Sequence, residues 1–519
     1  MIVKILEISS MDLSGQTLII RADGNTRIGS GHVMRCLALA QGWQDKGGRI
    51  VLLMGEESAS LSERWRREGM EAEVIPAHPG SGKDAMETAD FAKGNGANWI
   101  VVDGYQFDAG YQRIIKETGL KLLFVDDYGH ADHYYADIVL NQNIQAHEGL
   151  YKKREPYTRL LLGTDYVLLR GEFLKWREYR REIPEVAKKI LITMGGSDPD
   201  NCTLKVSEAL FLLQLKDICV IAVVGGNNPH YETLKSRING APSPIVLERN
   251  VTNMPELMAW ADVAISAGGS TVWEILFMGL PNLTIIVAEN QRDSVEKLEL
   301  YNATVNLGSK DDLNPDRISR EVERLCRDRA GRVKMLDGNR SLVDGGGVER
   351  VLSALYTYDP GKSRNGDIEI RKAVFADAYQ IWRLANSRTV RENAFNSKAI
   401  PLDEHIKWYR YKLSSSDCII RVLEYNSVLS AIIRYDRINK SYIEIDFAVI
   451  DSLRGKGLGT EILKSTMAIA VQDLSVDCLR GTVLKKNGPS QKSFLKAGFK
   501  KVSESNIHGH DCYIFEWKL

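Results

Sequence analysis

The stretch Arg21–Ala40, RADGNTRIGSGHVMRCLALA, decides how this chain reads. Ahead of it, Thr17-Leu18-Ile19-Ile20 has the composition of a buried strand. From about Val33 onward the apolar residues recur at helical spacing. Between them lies a turn punctuated by Gly24, Gly29 and Gly31, followed at once by His32. Strand, glycine turn and helix in that order aim free backbone N–H groups at an anion. His32 falls in the first helical turn, where the partial positive charge of the helix end disfavours imidazolium. The pattern therefore points to a neutral imidazole that accepts a proton beside a phosphate-bearing substrate. A tight turn followed by a capping histidine uses the same letters, so the local pattern leaves both readings open.

Working outward, Arg49–Met54 reads as a second strand. Trp99–Asp103, Lys121–Val125 and Asp137–Leu140 are further apolar runs with helical segments between most of them. Strands alternating with helices predict a parallel, doubly wound sheet. Such sheets bind ligands just past the C-termini of their strands, which singles out Asp103, Tyr105, Asp126 and Asn141. Asp126, Asp127, His130 and His133 have the donor types of a metal site but no defined ligand spacing. Substrate hydrogen bonding and turn stabilisation are the competing roles.

A charged crossover, Lys175–Lys188, precedes a second round of the same pattern. Strands at Ile190–Met194, Val220–Val224 and Asp262–Ser266 are each followed by glycines. Gly195-Gly196-Ser197 and Gly268-Gly269-Ser270-Thr271 offer two phosphate cradles, each with orphan N–H groups and a hydroxyl. The second feeds a helix that runs to Gly279-Leu280-Pro281, a glycine stop with proline just beyond. Glu274 has two readings. It stands at capping-box spacing from Thr271, or its carboxylate grips ribose hydroxyls.

The residues Arg21, Asp23, Gly29, Gly31, His32, Arg35 and Cys36 resemble the N-terminal motif of the UDP-sugar hydrolases of pseudaminic acid biosynthesis. Those enzymes release UDP from a 2,4-diacetamido-2,4,6-trideoxy-altrose. The resemblance continues to about residue 305 and implies that His32 activates the attacking water and that no metal takes part. The block Ser266–Glu274 resembles the UDP-binding segment of two-lobed, B-type glycosyltransferases such as the MurG family, where the glutamate holds the ribose. Asn250–Pro255 matches the loop that contacts uracil there, and Glu289-Asn290-Gln291 matches a substrate-contacting segment. The first lobe, residues 16–170, is then expected to hold the sugar and the second, 171–357, the nucleotide.

A short polar linker, 358–367, leads into a different domain, 368–519. Its centre is a strand, Tyr442–Ile450, followed by Arg454-Gly455-Lys456-Gly457-Leu458-Gly459-Thr460 opening a helix. Glycines there let backbone N–H groups close on a phosphate. With Asn487, Ser490, Phe494, Lys496, Gly498 and Phe499 downstream, this segment resembles the GCN5-related N-acetyltransferases (GNAT). The resemblance implies that Val449, Ile450, Arg454–Thr460, Asn487, Ser490 and Phe494 bind acetyl-CoA as co-substrate. Phe494 stands where that family often has the tyrosine that protonates the departing thiolate, and phenylalanine has no proton to give. Glu444 and Asp446, two apart on the strand, share one face. They are read either as the base that deprotonates the acceptor ammonium or as a solvated face. The segment from Asn386 to Trp408 resembles sugar-nucleotide acetyltransferases. His405 and Trp408 then line the sugar-nucleotide site, or serve as a capping histidine and a core aromatic.

The 519 residues exceed one typical domain, and 44% apolar with 26% charged residues is ordinary for a globular protein. Formal net charge is zero without a long basic run, so neither nucleic acid nor an anionic membrane is an expected partner. Seven scattered cysteines without a C-x-x-C pair fit a reducing cytoplasm. Residues 1–10 are too short and too interrupted for a signal segment. The combined expectation is an α/β chain of two Rossmann-like lobes followed by an α+β GNAT domain. The C-terminal domain would acetylate the 4-amino group of a UDP-altrose derivative, and the N-terminal region would hydrolyse the product. A B-type glycosyltransferase fused to an acetyltransferase, or a sugar-nucleotide sensor that acetylates proteins, fits the same motifs. Oligomeric state is left open.

Overall fold

The computed structural model describes residues 5–6, 11–25, 29–56, 58–226, 228–239, 245–358, 368–373, 377–425, 428–507 and 509–518. It divides into two units, Met11–Ser363 and a second made of Met1–Ser10 with Arg364–Leu519. The smaller unit therefore takes a two-residue strand, β1 (Ile5–Leu6), from ahead of the larger one. Of the expected linker, residues 359–367 lie outside the described residues.

In the larger unit the first lobe holds β2 (Thr17–Ala22), β3 (Arg49–Met54), β4 (Glu71–Val74), β5 (Ala97–Asp103), β6 (Lys121–Val125), β7 (Ile138–Asn141) and β8 (Arg159–Leu162). They form a seven-stranded parallel sheet in the order β4-β3-β2-β5-β6-β7-β8. Every residue of β2 is buried, as a strand covered by helices on both faces requires. The chain leaves β2 toward β3 and β4, then returns on the other side at β5. Loops diverge at such a switch point and open a crevice beyond the strand ends. The edge strands β4 and β8 were not read from the sequence. Glu71-Ala72-Glu73-Val74 buries Ala72 alone, so its apolar signal is weak.

The second lobe repeats the plan with β9 (Lys189–Thr193), β10 (Cys219–Val224), β11 (Ile245–Arg249), β12 (Val263–Ala267), β13 (Asn282–Ile286) and β14 (Val305–Ser309). Their order is β11-β10-β9-β12-β13-β14, again parallel, with the switch point between β9 and β12. The helix Gly347–Thr357 at the end of this lobe crosses back to the first. Its Val348, Val351, Leu352 and Leu355 join the apolar core of the first lobe. A Cβ on Gly42 would lie 2.4 Å from Val348 Cγ1, so this helix meets the helix Gly31–Asp45 against bare backbone. The last helix of the expected second lobe, 171–357, thus packs with residues of the first, 16–170.

The smaller unit contains β15 (Ile368–Lys372), β16 (Cys418–Tyr425), β17 (Val428–Arg437), β18 (Ile443–Val449), β19 (Cys478–Leu484), β20 (Lys500–Ile507) and β21 (His510–Lys518). The sheet order is β1-β15-β16-β17-β18-β19-β21-β20. β18 and β19 are parallel and pair from Ile443/Leu479 to Ile445/Gly481. Both strands run on beyond that register, β18 to Val449 and β19 to Leu484. The two strands therefore leave a gap between their C-terminal halves. Among the described residues, no helix is long and apolar enough to cross a membrane.

Phe494 packs on this sheet at the bare backbone of Gly481, where an added Cβ would lie 2.2 Å from the Phe494 Cζ. Gly481→Ala is therefore expected to destabilise the smaller unit by about 1–3 kcal/mol through overpacking. Denaturant unfolding measures this, and an unchanged midpoint would contradict the packing.

Candidate functional site

His32 is the second residue of the helix Gly31–Asp45, which follows β2. Asp103 ends β5, in register with Ala22. The switch point between β2 and β5 thus brings residues 71 positions apart into one crevice. His32 Nδ1 lies 2.7 Å from Asp103 Oδ1. A carboxylate only accepts hydrogen bonds, so Nδ1 is the nitrogen that carries a proton toward Asp103, and Nε2 is the one left to face away from it. Asp103 is fully buried and also accepts from Arg35 Nε and Nη2, both at 2.6 Å, and from Cys36 Sγ at 3.4 Å. Burial works to raise the Asp103 carboxyl, but Arg35 and His32 outweigh it and hold the group well below the usual carboxylate range.

The third arm of Arg35 reaches Asp127 Oδ1 at 2.7 Å. Asp127 Oδ2 accepts from Tyr105 OH at 2.6 Å, and Asn143 Nδ2 donates to Oδ1 at 2.8 Å. The Tyr105 ring stands edge-on to His32 with centroids 4.8 Å apart. Asp126, which the sequence singled out, does not join this cluster. Its oxygens accept from the Tyr128 and Gly129 amides and the Tyr134 hydroxyl, and His130 Nδ1 lies 3.3 Å away. The ligand reading of Asp126 is thus corrected to turn stabilisation, the alternative left open. Asn141 is fully buried, bonded to Tyr151 OH and the Asn143 amide, and acts from behind the site. His130 Nε2 lies 3.0 Å from the Phe107 carbonyl, and His133 pairs with Glu155. Among the described residues, no group of three or more His, Cys, Asp or Glu side chains is arranged for a metal.

The glycine turns of the second lobe face this crevice. A Cβ on Gly29 would come 3.6 Å from Ser197 Oγ, and one on Gly31 would come 3.6 Å from Ser270 Oγ. Gly196 is tighter still, since its Cβ would lie 2.3 Å from Ser30 Oγ. Gly225, after β10, abuts the Gly196 carbonyl in turn. Gly196, Ser197 and Ser270 thus meet the turn that leads into His32, while Gly268 and Gly269 lie beside Gln291 and Gly195 has φ of +85°. Asn290 Nδ2 crosses the cleft to Tyr105 OH at 2.6 Å. Gln291 bonds the Val287 amide, while Glu289 is exposed and paired with Arg292. Asn250 lies beside Gly226.

Two expectations in this lobe are corrected. Ser266 is fully buried inside β12 and does not reach the cleft surface. The Thr271–Glu274 capping box does not form, because the helix Thr271–Phe277 is capped at Ser270 without a side-chain bond. Glu274 instead accepts from Arg170 Nη2 at 2.8 Å and Nε at 3.1 Å. Burial raises its carboxyl, and Arg170 offsets part of that rise.

The smaller unit encloses a cavity of about 1150 Å³ between the diverging halves of β18 and β19. Val449, Arg454, Gly455, Gly457, Leu458, Gly459, Thr460, Asn487, Ser490 and Phe494 line it, whereas Ile450 and Lys456 do not. Gly455 and Gly457 have φ of +80° and +88°, conformations that glycine adopts without strain. They turn the chain so that the helix Leu458–Leu474 starts with the amides of Leu458 and Gly459 directed at the cavity mouth. Free backbone amides at a helix start can hold an anion there. Asn487 caps the helix Gly488–Lys496 by accepting from the Ser490 amide. Phe494 stacks on Phe515 and meets Phe447 and Phe499 edge-on, so its role is core packing.

Glu444, Asp446, His405 and Trp408 line the same cavity. Asp446 is largely exposed and lies 3.4 Å from Arg434. Among the described residues, Glu444 has no hydrogen-bond or ion-pair partner, and burial raises its carboxyl. His405 is buried, and burial lowers its imidazole to about 4. Its neutral ring donates from Nε2 to the Ala378 carbonyl at 3.0 Å and stacks on Tyr409, which makes it a structural strut, not a helix cap. Trp408 carries the Arg434 guanidinium over its ring at 5.0 Å. Sequence reading missed Arg434, and it singled out Asp127 without its tie to Arg35, which lies 92 residues earlier in the chain.

Residues 190–340 match the family model described as glycosyltransferase family 28 C-terminal domain, and residues 367–500 match the acetyltransferase (GNAT) domain. The UDP-2,4-diacetamido-2,4,6-trideoxy-beta-L-altropyranose hydrolase of Campylobacter jejuni is 25% identical over 281 residues, 53% of this chain and 94% of that protein. Spore coat polysaccharide biosynthesis protein SpsG of Bacillus subtilis is 27% identical over 350 residues, 65% of this chain and 96% of that protein. An uncharacterized protein of Methanocaldococcus jannaschii is 25% identical over 502 residues, 94% of this chain and 97% of that protein, so the likeness there spans both units. The chain is thus an enzyme of two parts, in which a two-lobed region similar to UDP-sugar hydrolases, its second lobe matching the glycosyltransferase family 28 C-terminal model, is joined to a domain that matches the acetyltransferase (GNAT) model.

Proposed function

We propose that the larger unit hydrolyses a UDP-linked 2,4-diacetamido-2,4,6-trideoxy-altrose to free sugar and UDP, and that the smaller unit makes its 4-acetamido group from acetyl-CoA. The observation that carries the first half is the His32–Asp103 pair at 2.7 Å, set in a switch-point crevice opposite two glycine-serine turns. With Nδ1–H committed to Asp103, Nε2 takes a proton from water as its oxygen attacks the anomeric carbon. The bond from that carbon to the β-phosphate oxygen breaks, and UDP leaves with the electron pair. Amides near Gly195–Ser197 and Gly268–Thr271 hold the charge that develops on it. Direct displacement inverts the anomeric centre. The C. jejuni relative's name supports the choice of sugar.

In the smaller unit Glu444, which has no ion-pair partner among the described residues and whose carboxyl is raised by partial desolvation although its side chain is exposed, suits the role of base better than Asp446, which Arg434 engages. Glu444 accepts a proton from the acceptor ammonium, directly or through water. The freed amine attacks the thioester carbon, its nitrogen gives a second proton to solvent, the C–S bond breaks, and solvent protonates the departing thiolate, since Phe494 has no proton to give. Acetylation then precedes hydrolysis, and fusion raises the local concentration of the intermediate. The match to a glycosyltransferase C-terminal model favours one second reading, transfer of the sugar to an acceptor other than water. Incubation with the UDP-sugar alone separates the two, since prompt release of free sugar is hydrolysis.

His32→Ala is expected to lower UDP release about 10²–10⁴-fold, the range of a lost general base, and to spare acetyl transfer. Product analysis by mass spectrometry follows both reactions, and undiminished UDP release from that variant rejects His32 as the base. For acetyl transfer, the rate is expected to fall with decreasing pH as Glu444 is protonated, with an acidic limb above the carboxylate value of about 4.3. Glu444→Gln should remove that limb along with most of the rate, while Asp446→Asn should keep it. The reverse pattern would move the role of base to Asp446.

A further inference from the structure

Two buried carboxylates share one guanidinium in the His32 crevice. Arg35 gives two arms to Asp103 and one to Asp127, and all three side chains are less than one-tenth exposed. With a neutral imidazole, one positive and two negative charges leave the cluster one negative charge in excess. Asp127 is pinned in this arrangement by Tyr105 OH and Asn143 Nδ2, so it cannot swing away to solvent. We propose that Asp127 is a positioning residue for hydrolysis: by drawing one arm of Arg35 to itself, it keeps the Asp103 carboxylate from full neutralisation, and the cluster retains the negative charge that imidazolium fills when His32 takes its proton. This rests on the hydrolase reading above.

The groups around His32 agree with that accounting. Its own helix contributes Arg35 and the buried Cys36 thiol, which donates to Asp103. The end of β5 contributes Asp103 and Tyr105, and the turn after β6 contributes Asp127. His130 meets the site through the Tyr105 ring. From the second lobe, Ser270 and Asn290 face the crevice uncharged, while Glu289 is exposed and paired with Arg292. A buried charge acts at low effective dielectric. Removing one member of the cluster therefore changes how readily the imidazole accepts a proton, with a sign fixed by the charge removed.

The test compares pH profiles of UDP-sugar hydrolysis for the wild type, Asp127→Asn, Arg35→Gln and Asp127→Glu, with UDP affinity read by calorimetry as a check that the cleft is intact. Asp127→Asn leaves a neutral Arg35–Asp103 pair. It is expected to move the acidic limb of the profile to lower pH and to cut kcat about tenfold or more, part of what a general base supplies, with UDP affinity unchanged. Arg35→Gln leaves two uncompensated carboxylates and is expected to move the limb to higher pH. Asp127→Glu, which keeps the charge, is expected to recover the wild-type limb and most of kcat. Loosened packing would not shift the limb in opposite directions. The direction is fixed for each variant separately, so one that folds suffices to decide. Limbs that stay in place or move the same way, or a loss that tracks UDP affinity, overturn the inference. A wild type that releases no UDP overturns the hydrolase reading itself, whereas loss confined to His32→Ala overturns the role of Asp127 alone.

Discussion

A carboxylate at the end of a strand covered on both faces has to be paired, because burying it alone would cost far more than the fold can supply. Asp103 is that group, with no exposed surface and hydrogen bonds from His32, Arg35 and Cys36. Three donors from one helix converge on one acceptor from the neighbouring strand. Their convergence sets how the helix Gly31–Asp45 enters from β2, and it fixes which ring nitrogen of His32 faces the cleft. The same pairing that satisfies a buried charge thereby orients the imidazole toward the second lobe.

Close backbone approach is the complementary constraint. Ser30, Gly196 and Gly225 come from three successive turns of two lobes, and each contact leaves no room for a Cβ on the glycine. Side chains there would hold the lobes apart. With glycine, the two switch points face each other across a gap lined by amides and by the hydroxyls of Ser197 and Ser270. The returning helix Gly347–Thr357, seated on Gly42, ties the end of the two-lobed region to the first lobe again.

The acetyltransferase unit uses a different device. Its sheet is not split by a topological switch but by two parallel strands, β18 and β19, whose pairing ends partway. The cavity opens where the register stops, and the glycine turn after β18 presents its amides there. Phe494, at a position that suggested a missing acid, is an aromatic of the core beneath this gap, seated against Gly481. Departure of a thiolate near solvent at neutral pH does not need a dedicated phenol, so the fold can use that position for packing.

What the sequence by itself determined is set by local rules. The glycine turns, the apolar runs and the first-turn placement of His32 depend on neighbours within a few residues, and they gave both parallel lobes, the phosphate cradles and the acetyltransferase loop. The edge strand β4 escaped because Glu71-Ala72-Glu73-Val74 carries little apolar pattern, and β8 because three consecutive leucines in so short a run do not tell strand from helix. Tertiary structure decided everything that depends on which groups meet. Asp126 and Asp127 are adjacent in the chain, yet one closes a turn and the other reaches Arg35, because successive residues at a strand end point to opposite sides. Glu274 and Asp446 look like free carboxylates in sequence, but Arg170 and Arg434, distant or on the next strand, engage them. Charge compensation acts through space and ignores chain order, so only the folded molecule shows which acid is spoken for and which is left to act.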